Sequence, residues 1–255
     1  MRARIITRTR TPATPPDVAR LAEPARSKTI SAARAAGWSG AAFALLSIVA
    51  LILLYHVPGL GVPDSTYAQF YASNAHGVVI VLGLYVIPFA GIAFLWHMSA
   101  SRVVTRALDG AGSDIPHWLY LASGTVFVCM TFAGSAAVGA VALLTVFSTA
   151  PLPSVDVARA LSSTGYGLMF VYGVRAAGMF MIAGTRLARA TGLLPRRLAV
   201  FNYLVAAFLL VNTTFHPVVL LVFPLWIAMM SVVMLLDART ASTAIPAPPP
   251  ASVKE

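Results

Sequence analysis

Charge is scarce in this chain. Asp, Glu, Lys and Arg together make up 10% of its 255 residues, against about 25% in a soluble domain, so too little polar surface exists to cover a water-facing globule. Carboxylates are rarest, and all eight lie outside the long apolar runs. Their absence at depth weakens a proton-coupled carrier, which usually relies on Asp, Glu or His relays. Cysteine occurs once, as Cys129 inside an apolar run. Disulfide frameworks and cysteine-based zinc sites within one chain are therefore excluded. Lysine appears only at Lys28 and Lys254, leaving arginine to supply 16 of the 18 basic residues. That bias, with the richness in alanine, points to a bacterial source with a GC-rich genome. No GxGxxG, phosphate loop, HExxH or GxSxG is present, so a familiar nucleotide, zinc-protease or serine-hydrolase reading has no motif to stand on.

What the chain has in quantity is apolar sequence, 58% of its residues. Six runs approach the ~20 residues that cross ~30 Å of hydrocarbon: Trp38 to Val57, Ala75 to His97, His117 to Phe147, Ala158 to Leu187, Leu198 to Phe215 and Pro217 to Leu236. The last two are divided at Asn212 to His216, where a hairpin with Thr214 as cap and Pro217 in the next first turn serves the backbone better than one long helix. The expected fold is an all-α integral membrane bundle of six transmembrane helices. Residues 1–36 read as a disordered basic tail, with Ser27 to Ala36 able to lie as a helix on the membrane surface. Residues 37–237 form the transmembrane domain, and 238–255 a disordered proline-rich tail.

Basic residues set the orientation. With both termini cytoplasmic, 16 of the 18 lie inside, Arg159 lies outside and Arg175 lies between. Trp38, Trp96, Trp118 and Tyr120 would mark the inner interface, and Tyr55, Tyr67 and Tyr71 the outer. The net charge of +10 then meets anionic lipid headgroups and not nucleic acid, since no aromatic-interleaved basic surface is visible.

Arg175 carries the strongest functional signal. It falls near the middle of the fourth run, and an arginine at that depth is by default a functional-site residue facing protein or water. Tyr172 at i−3, Tyr85 on the second run and Trp226 on the sixth are its expected neighbours, around a midplane pocket for a lipid-like or small anionic ligand. Pro88 and Pro224 would open backbone carbonyls at similar depth. The competing reading is a structural arginine satisfied by such carbonyls, hydroxyls or rings.

Other residue sets read as structural. His56, His76 and His216 fall near the outer face and His97 and His117 near the inner, too far apart for stacked haems, so they are expected in water or headgroups with no metal site. Hydroxyls near the outer ends, with His76 or His216, lack an acid to orient the imidazole. Asp156 and Arg159 suggest a helix cap and a surface ion pair. Ser135 and Gly139 on the third run, with the glycines of the fourth, suggest close helix packing, to be tested by Gly139→Leu.

The segment TGLLPRRLAV after an apolar helix, followed by a further helix and the run FPLWIAMMSVV, resembles small multi-pass proteins of bacteria, especially actinobacteria, similar to the domain-of-unknown-function family 4386. The resemblance implies a plasma-membrane location and a six-helix layout, and brings no activity, cofactor or catalytic residue. The functional expectation is a non-enzymatic membrane protein that binds a ligand at Arg175 or serves as an accessory subunit. A small-molecule transporter and an integral membrane enzyme acting on a lipid are the alternatives. Membrane lipids, a second copy and a membrane-complex subunit are the partners considered.

Overall fold

The computed structural model describes residues 16–109, 114–149, 151–212 and 216–243. Every regular element among them is helical: α1 (Pro16–Leu54), the short α2 (Asp64–Ala72), α3 (residues 77–109), α4 (Asp114–Phe147), α5 (residues 155–190), α6 (Arg196–Val211) and α7 (Val219–Thr243). In hydrocarbon every backbone N–H and C=O must bond within the protein, and a helix achieves this inside one segment. Five helices are long and apolar enough to cross a membrane: α1 from Arg26, α3, α4, α5 and α7. α6 has 16 residues, or about 24 Å at ~1.5 Å per residue.

The boundaries follow local chemistry. α5 ends at Ala190 with Thr191 as its cap, and Gly192 takes φ +76°, the left-handed geometry that a glycine adopts without a Cβ clash. Leu194 N–H then reaches back to Ala188 O at 3.1 Å, and Pro195 stands immediately before α6, where the chain turns extended. α3 and α5 are not continuous α-helices. Each contains a π-helical stretch, Leu82–Val86 and Gly167–Gly173. The first directly precedes Ile87 and Pro88, and a proline with no N–H to donate disturbs the ladder behind it.

α1 lies along α3 on one side and α7 on the other, while α5 packs against α4 and α6. Where these layers meet, aromatic rings interlock. Phe94 stands 5.1 Å from Phe180 and Phe127 4.7 Å from Phe223, ring centre to ring centre, within the range in which tilted aromatic pairs attract. Large apolar side chains also cover the outside, among them Leu45 at 63% exposure and Leu204 at 65%. An aqueous surface would not favour them, and a lipid surface does.

The bundle has an arginine end, with Arg102, Arg106, Arg186 and Arg239, and a tyrosine end, with Tyr67, Tyr71 and Tyr166. α6 leads from the arginine end back toward the other, and α7 returns. Accordingly Arg26 of α1 donates to Ala241 O of α7 at 3.0 Å, and Arg34 to Ser242 Oγ at 3.2 Å. Both tail expectations change here. The helix of α1 begins at Pro16, well inside the expected 1–36 tail, and α7 runs past residue 237 to Thr243. Ala33, Val104 and Ala238 form a small buried cluster that ties these extensions to α3. Residues 1–15 and 244–255 lie outside the described residues, as do Thr213 to Phe215 of the expected cap.

Candidate functional site

Between the helices lies a cavity of about 130 Å³. All six long helices contribute to its wall, including Phe43 of α1, Gly83 of α3, Phe127 of α4, Val174 of α5, Leu209 of α6 and Phe223 of α7. Three hydroxyls also face it, those of Ser47, Thr131 and Ser135. Each donates to a carbonyl of its own helix, Phe43 O at 2.8 Å, Phe127 O at 2.8 Å and Phe132 O at 3.0 Å. The wall therefore offers contact area and no free hydrogen-bond donor from these groups. Apolar cavities of ~150 Å³ stay dry and accept a small ring such as benzene, so this one fits a ring or a short piece of hydrocarbon chain.

The four residues expected around a pocket do not converge on one: Tyr172 stays a turn from Arg175 on the outer face of α5, and Tyr85 and Trp226 lie elsewhere. Val174 and Ala177 line the cavity, but Arg175 is turned ~100° or more from both, at ~100° per helical residue. It shares the cavity's depth and faces the other way. Arg175 is partly buried, and its guanidinium Nη1 donates to Val171 O at 2.9 Å. That carbonyl belongs to its own helix, at the end of the π-helical stretch, and not to a backbone opened by Pro88 or Pro224. Tyr172 is 60% and Tyr85 57% exposed on the outside of the bundle. Trp226 is 6% exposed in the core, stacked with Phe223 and close to Gly184. Gly184 lies nine residues beyond Arg175, about 13 Å along the helix, so Trp226 is not a neighbour of Arg175.

A second group of polar residues is buried toward the arginine end. His97 and His117, expected in water or headgroups, are 1% and 3% exposed. His97 Nδ1 meets Ala36 O at 2.7 Å, and since a carbonyl only accepts, that nitrogen carries the proton. A cavity of about 20 Å³ sits beside His97, Ser101, Tyr120 and Trp226, room for one water. Among the described residues, the buried Trp226 Nε1, Thr185 Oγ1 and both amide atoms of Asn202 have no hydrogen-bond partner. Among the described residues no group of three or more His, Cys, Asp or Glu side chains is placed to hold a metal.

The tyrosine end holds a network absent from the sequence expectations. Tyr67 and Tyr71, read as an interfacial belt, are 1% and 5% exposed, as buried as Tyr120 at 5%. Tyr67 Oη donates to Ser162 Oγ at 2.7 Å. Arg159 does not pair with Asp156. It donates to Asp64 Oδ1 at 2.7 Å and Val62 O at 3.0 Å, and its guanidinium stands 5.4 Å over the Tyr67 ring. Burial, with Tyr67 alongside, pushes the Tyr71 phenol from about 10 up to about 12. His76 rests Nδ1 on Ser73 O, and its Nε2 lies 3.0 Å from Thr145 Oγ1. Thr145 also has Ala142 O at 2.7 Å for its proton, and a carbonyl stands where an activated hydroxyl–histidine pair needs a carboxylate. The signals that could have pointed here were the short DSTYAQFY run and the second tyrosine of its i, i+4 pair.

Fold and cavity define the class: among the described residues, an all-helical bundle with several helices suited to a membrane, hollow between those helices and apolar inside. Comparison of the chain with models of known families, with curated proteins and with solved structures finds no match.

Proposed function

We propose that this chain is a six-span plasma-membrane protein of bacterial type, with both termini cytoplasmic, that holds the apolar part of a lipid-like molecule in its central cavity. The observation that carries the ligand reading is the cavity itself: about 130 Å³ at mid-depth, with its hydroxyls turned back onto their own helices. Recognition there rests on shape and dispersion and not on a fixed set of polar contacts. Six crossings are supported by the contact of Arg26 with Ala241. The start of α1 and the finish of α7 meet at one end, an arrangement that favours an even number of passes and so supports a pass by α6. The basic residues gathered at that end support its cytoplasmic placement.

The test fills the space. In Ser47→Phe with Thr131→Leu, larger side chains replace the two hydroxyls. Native mass spectrometry of protein extracted gently with its lipids should show a bound lipid-sized adduct on the wild type and at least a tenfold weaker one on the filled variant. A monodisperse, thermally stable variant is the folding control. A bare wild type, or an adduct unchanged by filling, would remove the cavity from the account.

A further inference from the structure

Arg175 presents a problem that the chain alone leaves unsolved. It belongs to an outward stripe of α5 formed by Val171, Tyr172, Arg175, Met179, Ile182 and Arg186, all partly or fully exposed. The stripe lies between the sides of α5 that face α4, at Gly173, and α6, at Gly178. A guanidinium has five N–H donors, and among the described residues one of them has a partner, Val171 O. That partner lies toward the tyrosine end. The side chain thus extends away from Arg186, about 16 Å distant along the helix, and toward Arg159, about 24 Å distant. It does not reach for the nearer interface, as a snorkelling arginine does.

A charge held at that depth calls for an opposite one. Among the described residues no Asp or Glu stands near it: on α5 the nearest is Asp156, nineteen residues back, or about 28 Å. A second copy of the chain would bring none either. We propose that the Arg175 stripe is the docking surface for a membrane-spanning helix of a different polypeptide, one that carries a carboxylate at mid-depth. The planar fork of arginine suits a carboxylate's two oxygens. Tyr172 and Met179, a turn to either side, supply apolar contact for the flanks of the incoming helix. The surface is separate from the central cavity, on the opposite face of α5, so a failure of one reading leaves the other standing.

The experiment uses the full chain in phosphatidylcholine vesicles, with synthetic Leu-rich helices of about 24 residues bearing Asp, Asn or Leu at the centre. Association is read by energy transfer at pH 8. The Asp helix should bind about tenfold more tightly than the Leu helix, the scale of a strong polar contact between helices in a bilayer. The preference should shrink at pH 5, where the carboxylate takes up a proton. It should vanish in Arg175→Leu, and Arg175→Glu should favour a helix with a central Lys instead. Arg175→Gln serves where Arg175→Leu fails to fold, and the preference should be lost there too. Equal binding of the Asp and Leu helices to the wild type would overturn the proposal, and so would a preference that persists in both neutral variants. A preference abolished by adding phosphatidylglycerol would also overturn it, assigning the counter-charge to lipid.

Discussion

Arg159 and Arg175 lie on the same helix and meet opposite surroundings. Arg159 has a carboxylate, a backbone carbonyl and an aromatic face, whereas Arg175 has a carbonyl of its own turn. The first therefore fastens α2 to α5. Replacing it with Ala should lower stability by about 1–2 kcal/mol, the sum of a part-exposed ion pair, a hydrogen bond and a cation–π contact. The thermal midpoint in detergent measures this, and an unchanged midpoint would show that Tyr67 and Ser162 hold α2 without it. Tyr71 carries a pH signature. Its phenol keeps its proton more tightly in the fold than in the open chain, so its contribution is complete below about pH 10 and is lost as pH rises to about 12. Stability measured across that interval should fall more steeply in the wild type than in Tyr71→Phe. A common slope would place the alkaline loss elsewhere.

At the level of helices, the six apolar runs and most of their limits were legible because hydrophobicity and length are local properties. Trp38, Trp96 and Trp118, at 67%, 65% and 64% exposure, sit outside as amphipathic belt residues do. What local pattern could not supply was register. Ser135 and Gly139 offer the small-residue spacing that lets helices meet, yet a Cβ on Gly139 would touch little more than Val79, at 4.0 Å. The close crossing is one step away, where Gly134 and Gly165 each lie against the other's carbonyl oxygen. Which of two such spacings is used depends on how α4 is rotated about its axis against α5, and periodicity carries no record of that rotation. Gly165→Leu should accordingly cost several kcal/mol or prevent folding, since backbone oxygen cannot yield as a side chain can. Gly139→Leu should be tolerated within about 1 kcal/mol. Similar thermal midpoints for the two variants would disprove the crossing at Gly134. The arginine was legible for the same local reason that the runs were. The side of the helix it faces was legible as well, since Arg175, Arg186 and Arg189 fall on one face of α5 at ~100° per residue, and the expectation of an inward pocket came from reading Arg175 without the other two.

Across the whole molecule, the arrangement of ends bears on the proposed count of six crossings, and helix length bears on it too. A 16-residue α6 falls short of ~30 Å by length. Yet Val200, Phe201, Leu204, Phe208 and Val211 on its outer side are 51% to 79% exposed, an apolar face of the kind that the proposed sixth pass would turn to lipid. Were α6 to lie on one interface, α7 would begin at the arginine end and finish at the other, and Ser242 could not meet Arg34. Single cysteines placed in a Cys129→Ser background turn this into a measurement. Ser154→Cys, at the start of α5, should react with a membrane-impermeant maleimide on intact cells. Ser242→Cys should react only after permeabilisation, because its end of α7 is bound to the arginine-rich end of α1. Labelling of both from outside would break the pairing of α1 with α7. Labelling of Ser242→Cys alone would invert the bundle and place sixteen basic residues on the face opposite to that favoured by their charge.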